Sequence, residues 1–309
     1  GGMLSFGHAV FGACGAYAVV HALLAAPAWL PPALLGGAAA ALPVALLPLV
    51  GGVAGALVAA LFGLVATRSA GTAFAMITLA LGELAAAVAL LLPALFGGEG
   101  GLAVDRSLHG APGSAAIDLG VPLQLYALLV VYALGCVALL GAFVRTPPGR
   151  MLNAVRDCAE RAAAVGYDPR RVRWLAFTVA GFFAGIGGGM HALQFELASP
   201  ELFGAARSGA WLLFTVLGGS AAFVAGPAIG AALMVATGAL LSSWTQAALL
   251  YLGLAFIAVV LFAPDGIAGA SQRALQALAA APRRRRRWAL LGALALAPLL
   301  GGLVAGVEM

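Results

Sequence analysis

One carboxylate stands alone in an apolar background. Glu83 falls near the middle of the stretch from Thr72 to Phe96, which carries no other charge. A charged side chain at the centre of a bilayer costs about 2.5–3.5 kcal/mol on insertion scales, so it faces the protein interior, is paired, or is protonated. Two roles fit such a group: it lines or gates a pathway, or it makes a helix-packing hydrogen bond to a neighbour such as Thr78. A second concentration of polar chemistry lies between Arg145 and Arg173, RTPPGRMLNAVRDCAERAAAVGYDPRRVR, with seven of the sixteen arginines and three of the eleven acids. These groups suit charge-assisted contacts with a partner outside the membrane.

Other chemistries find no support. No nucleophile, base and orienting group fall together. Cys14, Cys136 and Cys158 are scattered without a C-x-x-C pair, and His8, His21, His109 and His191 lack ligand spacing. No metal and no cofactor is implied. The run Gly185 to Gly189 lacks the strand-to-helix context of a dinucleotide site. The chain has no lysine at all, which excludes a P-loop of its own, whose Lys must reach the nucleotide phosphates.

The elements that position these groups follow from composition. Of 309 residues 63% are hydrophobic and 9% charged, against about a quarter charged in soluble domains; mean hydropathy is +1.06. Repeated uncharged stretches near the length of a bilayer crossing predict an all-α, polytopic helical membrane protein. We expect about eight to nine membrane segments, some of them Gly-interrupted or re-entrant. Spans are placed at Phe6–Trp29, Val44–Ala66 (with Leu34–Leu42 as a lead-in segment), Thr72–Phe96, Leu123–Val144 and Trp174–Phe195. Short apolar runs follow between Trp211 and Ala263. An Ala/Arg-rich linker, 267–287, and an additional C-terminal segment, 288–309, complete the chain.

The net charge of +5 does not point to nucleic acid, because the arginines sit in loops between spans. Alternating the spans puts Arg68, the seven arginines of 145–173, Arg273 and Arg283–Arg287 on one side, and Arg106 and Arg207 on the other. That asymmetry assigns the first side to the cytoplasm, with the Gly-rich loop Gly97–Gly120 outside.

Within 145–173, Pro147 and Pro148 end the arriving helix and Gly149 lets the backbone turn. A helix is expected from Met151 to Val165, with Gly166 as its C-terminal cap and Asp168-Pro169 turning the chain away. Ala154, Val155, Cys158, Ala159, Ala162 and Val165 recur at spacings of three and four, opposite Arg150, Arg156, Asp157, Glu160 and Arg161. A small-residue face permits close approach to another protein; an interfacial helix lying on the membrane is the alternative, though the Trp, Phe and Leu anchors usual for that are missing. Elsewhere, Gly181, Gly185 and Gly189 form a small-xxx-small packing stripe. Two apolar runs are interrupted, at Ser5-Phe6-Gly7-His8 and at Gly218-Gly219 through Gly226-Pro227. Interrupted spans in the two halves of a transporter flank its substrate path; ordinary tight turns produce the same pattern.

Several blocks resemble one family. Glu160 to Gly166 is similar to the E-A-A-x-x-x-G cytoplasmic loop of ABC importer permeases, with Arg161 at the first Ala position. Gly1 to Tyr17 resembles the G-x-L-S-x-G-H-A-x-F-x-x-x-G-A-Y block of LivM-type permeases of branched-chain amino acid importers. Thr78 to Glu83 resembles the T-L-x-x-G-E block of the same permeases. Ser199 to Phe203 and Leu217 to Gly219 through Gly226 to Gly230 resemble their later blocks. The similarity covers the chain to Gly266, so residues 1–266 read as one permease domain with a coupling loop at 145–173.

The resemblance implies a non-catalytic, multi-pass permease subunit of an ATP-driven importer in the bacterial inner membrane. The implied substrates are branched-chain amino acids, or a related solute such as urea, amides or other amino acids. Implied partners are a second, LivH-like permease subunit, two cytoplasmic ABC ATPases, a periplasmic solute-binding protein and the lipid bilayer. Arg156, Glu160, Ala162, Ala163 and Gly166 are the expected ATPase-coupling residues. Ser5, His8, Thr78, Glu83, Gly218 and Gly219 are the expected lining of the path. The Gly1–Tyr17 block is internal in the family, which predicts a further span upstream. A stand-alone secondary transporter using a coupling ion is the alternative function. A structural membrane scaffold is a third, which would bind no ATPase through residues 145–173.

Overall fold

The computed structural model describes residues 2–29, 45–106, 119–219 and 225–238, together with isolated positions between 253 and 269. The lead-in segment Leu34–Leu42, most of the run Ala247–Ala263, the linker beyond Gly269 and the C-terminal segment lie outside the described residues. The chain divides into two compact units, Gly1–Gly209 and Ala210–Met309.

The helices in chain order are α1 (His8–Trp29), α2 (Leu47–Ala66), α3 (Thr72–Leu91), the short α4 (Pro93–Phe96), α5 (Pro122–Arg145), α6 (Pro147–Asp157), α7 (Ala159–Ala164), α8 (Pro169–Phe195), α9 (Ala205–Gly218) and α10 (Ala225–Ala236). Five of them, α1, α2, α3, α5 and α8, are long and apolar enough to cross a membrane. The expected all-α polytopic class is therefore what the chain adopts.

The core of the first unit is the crossing of α1, α2 and α8. It depends on residues without side chains. A Cβ on Gly185 would overlap the carbonyl of Gly51 and press on Cα of Gly55, and one on Gly15 would overlap the carbonyl of Gly185. Gly181 meets Ala59, and Gly188 meets the carbonyl of Gly12. The stripe foreseen along α8 is thus a packing surface on two neighbours at once, which is how small residues let helix backbones approach within a membrane. Aromatic rings fill the space towards the cytoplasm-assigned end, where Phe177 of α8 meets Phe11 and Phe74 edge-on at 5.1 and 5.6 Å. The indole of Trp174 donates to the Ala60 carbonyl at 2.9 Å, and Arg170 reaches the Leu64 carbonyl at 3.3 Å. The end of α2, with Arg68, therefore meets the start of α8, at the same end as the other arginines of 145–173.

The opposite end carries the only regular departure from helix among the described residues. Leu102–Ala103 (β1) pairs antiparallel with Leu197–Ala198 (β2), Leu102 opposite Ala198. Arg106 fastens this loop. It donates to the carbonyls of Leu193 and Gln194 at 2.8 and 3.0 Å and pairs with Glu196 at 3.2 Å. The guanidinium thereby satisfies carbonyls that the end of α8 leaves without helical partners.

In the second unit α9 and α10 pack as neighbours through glycine. A Cβ on Gly218 would overlap the Gly226 carbonyl, and one on Gly230 the Phe214 carbonyl. Gly219 and Gly266 both have positive φ, and their backbones abut. Over the described residues these helices run 14 and 12 residues, fewer than the roughly 20 of a full crossing.

The segment after α5 departs from expectation in three respects. Its helix begins at Pro147, not Met151. Thr146 is the N-cap, and Pro147 and Pro148 occupy the first turn, where a missing N–H leaves nothing unsatisfied. Gly149 does not turn the chain: it is helical, and it is needed because a Cβ would overlap the Phe143 and Val144 backbone. The expected single helix to Val165 is broken at Cys158, which is extended with φ −158° and ψ 98°. The reason is closure. The segment must return from the end of α5 to the start of α8, and α6 packs against both. A straight 15-residue helix would carry its far end about 22 Å away.

Candidate functional sites

The first candidate site lies inside the helix layer, where α1 starts. Residues 2–7 are not helical, and they run past α3 before α1 begins. The Phe6 N–H donates to Thr78 Oγ1 at 3.2 Å, and Thr78 donates to the Ala75 carbonyl at 2.9 Å. Thr78 is six residues into α3, so this contact sits about 9 Å along that helix. Gly7 fits against the Thr78 carbonyl with no room for a Cβ. Its N–H is accepted by Ser5 Oγ at 3.3 Å, and the Ala9 N–H by Ser208 Oγ at 3.0 Å. The opening N–H groups of α1, orphaned by helix geometry, are thus met by hydroxyls. His8 packs edge-on against Phe11 and Phe177, with ring centroids 5.6 and 5.8 Å away.

Glu83 lies beyond this point on α3. Its expected neighbour Thr78 is occupied elsewhere; Glu83 Oε1 instead accepts the N–H of Ala205 at 3.4 Å. Ala205 opens α9, so a carboxylate meets a helix N-terminus, a favourable charge–dipole arrangement. Ser5 and Thr78 thus meet at the non-helical approach to α1, His8 points into the Phe11–Phe177 cluster, and Glu83 is exposed and turned to the start of α9. Gly218 and Gly219, in the second unit, serve the close approach of α9 and α10.

Arg207 lies at the end of α8 opposite the arginine-rich segment, against His191. Expected on the external side, it is half-buried and donates to His191 Nε2 at 3.1 Å. Neither His191 nor Arg207 nor Ser208 stood out in the sequence. The signal that was present is two basic side chains on opposite sides of a short polar connection flanked by apolar helices.

The second candidate site is the broken α6–α7 element. Arg156, Glu160, Ala163 and Gly166 are exposed, while Ala162 is 7% exposed and Val155 2%. The small residues therefore do not form one outward face: Ala162 turns inward, because the break at Cys158 folds α7 onto its neighbours. The kink leaves a groove of about 300 Å³ lined by Met151, Ala154, Cys158, Ala162, Val165 and Tyr167, with Asp157 and Arg161. Gly166 caps α7 with φ +94°. Its N–H bonds the Ala163 carbonyl at 2.9 Å and that of Tyr167 bonds the Ala162 carbonyl at 3.1 Å, the paired pattern of a Schellman motif. Asp168 caps α8, accepting from the Arg170 N–H at 2.9 Å. Arg156 is partly committed, donating to Asp157 at 3.0 Å and packing on Gly2.

Comparison with known proteins shows the family of the chain. The family described as branched-chain amino acid transport system / permease component matches residues 1–264. The chain belongs to this family. Among curated relatives, the high-affinity branched-chain amino acid transport system permease protein LivM of Escherichia coli (strain K12) is 31% identical over 150 residues, 48% of this chain and 35% of that protein. LivM of Salmonella typhimurium is 30% identical over the same extent. The alignment thus spans about a third of the length of these relatives. No solved structure matches.

As a branched-chain permease-family member and a multi-pass membrane protein, the chain gives its sequence blocks structural roles. Residues 2–17 of the first block form the non-helical approach (2–7) and the first half of α1 (8–17), and the Thr78–Glu83 block is the part of α3 against which the approach lies. The Ser199–Phe203 block is a 3-10 turn whose Phe203 stacks on Tyr17 at 5.8 Å. Three blocks distant in sequence thus meet at the first part of α1.

Proposed function

We propose that this chain is the membrane-spanning permease subunit of an ATP-driven importer in the bacterial inner membrane, moving branched-chain amino acids or a related small polar solute. The observation that carries the reading is the family match over residues 1–264, joined to five membrane-length helices. The chain itself does no covalent chemistry in this scheme. ATP is hydrolysed by two cytoplasmic partners, a second permease completes the path, and a periplasmic solute-binding protein delivers the substrate. Alternating access moves the solute past Ser5, His8, Thr78 and Glu83 at the start of α1 and past Gly218 and Gly219. The α6–α7 element grips the ATPases through Arg156, Glu160, Ala163 and Gly166. Ala162 supports that element from beneath, because its side chain is buried within this chain.

Purification of the complex through a tag on this chain, followed by uptake in proteoliposomes with ATP inside and the solute-binding protein outside, tests the proposal. Leucine, isoleucine and valine should accumulate only with ATP. Accumulation by the permease alone, driven by an ion gradient, would instead support a stand-alone transporter. Co-purification without any ATPase would support a scaffold.

A further inference from the structure

α2 has two unlike faces. Gly51, Gly55, Ala59 and Gly63 are buried against α1 and α8, the small-residue packing that joins helices within a bilayer. Leu57, Leu61, Leu64 and Val65 recur at helical spacing on another face, and each is more than half exposed. Large branched side chains there suit contact with acyl chains, and keep the backbone of a further helix from approaching as α8 does.

The stripe ends in cations. Arg68 is exposed, and its N–H bonds the Val65 carbonyl at 3.3 Å in the turn that closes α2. Arg170, from the first turn of α8, reaches the Leu64 carbonyl at 3.3 Å. One helical turn rises about 5.4 Å, so the Arg170 guanidinium lies about a turn from the backbone of Arg68. That contact uses one of its several N–H donors, and the residue is otherwise exposed. The ion pairs among the described residues are those of Arg106, Arg156 and Arg171; none involves Arg68 or Arg170. Asp168, the acid nearest Arg170 in sequence, is engaged by Arg171 at 3.4 Å and by the Arg170 N–H at 2.9 Å. Trp174 marks the depth. Its ring packs where a Cβ on Gly63 would lie, and its indole donates to Ala60. Amphipathic rings of this kind collect at headgroup level.

An exposed apolar stripe that runs into two cations without acidic partners matches a ligand with an acyl chain and an anionic head. Guanidinium groups take a phosphate through charge-assisted hydrogen bonds, and basic sites at helix ends select anionic headgroups. We propose that this face of α2 holds one anionic phospholipid, with Arg68 and Arg170 on its phosphate and Leu57, Leu61, Leu64 and Val65 along an acyl chain. A zwitterionic lipid fits less well, because its ammonium group brings a positive charge towards the arginines. The assignment needs the chain to be a multi-pass membrane protein and does not rest on the importer reading.

The test is native mass spectrometry of the protein purified in detergent through a tag on this chain, with whatever subunits accompany it. It is stripped of lipid and titrated with dioleoyl phosphatidylglycerol or dioleoyl phosphatidylcholine. The wild type should bind the first lipid about tenfold more tightly, in keeping with two cations close to an anionic headgroup. Arg68→Gln with Arg170→Gln should abolish this preference and leave phosphatidylcholine binding unchanged, while Arg68→Lys with Arg170→Lys should keep most of it. Arg145→Gln with Arg150→Gln removes equal charge from two other exposed arginines and should leave the preference intact. Inorganic phosphate, which has no acyl chain, should not displace the lipid. Equal binding of the two lipids by the wild type overturns the site, and that comparison needs no variant to fold. Loss of the preference in the Arg145→Gln, Arg150→Gln control, its survival in the Arg68→Gln, Arg170→Gln variant, or displacement by inorganic phosphate also overturns it. So does loss of an accompanying subunit from the Arg68→Gln, Arg170→Gln variant, because the face would then belong to a protein partner.

Discussion

Substituting Gly185 by alanine adds one methyl group at the tightest point of the first unit. Its Cβ would overlap the Gly51 carbonyl and lie against the Gly55 backbone. Backbone has no rotamer with which to move aside, so α2 and α8 must separate. Overpacking of a dense core costs about 1–3 kcal/mol, and rigid atoms on the α2 side place Gly185→Ala at the upper part of that range. The same helix contains its own control. Gly187 is exposed, and a Cβ there meets nothing within 4 Å. Gly187→Ala gains only helix propensity, about 0.8–1.0 kcal/mol. The two alanine variants, two positions apart, should therefore differ by about 3 kcal/mol or more with opposite signs. Reversible unfolding in mixed micelles, followed by tryptophan fluorescence, measures both against the wild type. Equal stabilities for the two variants would refute the argument that backbone contact between α2 and α8 organises this unit.

Three further outcomes follow from particular contacts. Arg106→Ala removes an ion pair and two carbonyl contacts from the loop at β1; at the lower end for charged hydrogen bonds, about 1.5 kcal/mol, hydrogen exchange of the Val104 amide, which bonds Glu196, should speed up roughly tenfold. Gly166→Val places a β-branched residue at φ +94°, costing roughly 1–2 kcal/mol through backbone strain alone, since no neighbour lies within 4 Å; Gly166→Asn should cost less, and equal loss of exchange protection across α7 in both variants would contradict this. Cysteines replacing Glu99 and Ala163, both exposed, should be labelled from opposite sides of the membrane, Glu99→Cys from outside; labelling of both from one side would overturn the alternating topology.

Hydrophobic run length, Pro and Gly punctuation and arginine distribution carried the helix positions. α2 begins at Leu47 and α5 ends at Arg145, each within three residues of the expected span, because these boundaries depend on local chain chemistry and on the thickness of the bilayer. The stripe Gly181, Gly185 and Gly189 was legible for the same reason: small residues four apart share a helical face whatever lies opposite.

What lies opposite was decided only in three dimensions. That Gly51 and Gly55 receive Gly185, that Arg106 holds the end of α8, and that Glu83 meets Ala205 and not Thr78 all depend on contacts between residues tens or more apart in the chain. The break at Cys158 is of the same kind. Nothing in Asp157-Cys158-Ala159 forbids a helix, and the turn is imposed by the need to join α5 to α8, which also directs Ala162 inward. The pairing of His191 with Arg207 was invisible for a further reason. A histidine within an apolar helix and an arginine in a connecting segment each have an ordinary explanation alone. Only the fold brings them to 3.1 Å, because the partner of a side chain is a property of its surroundings and not of its residue type.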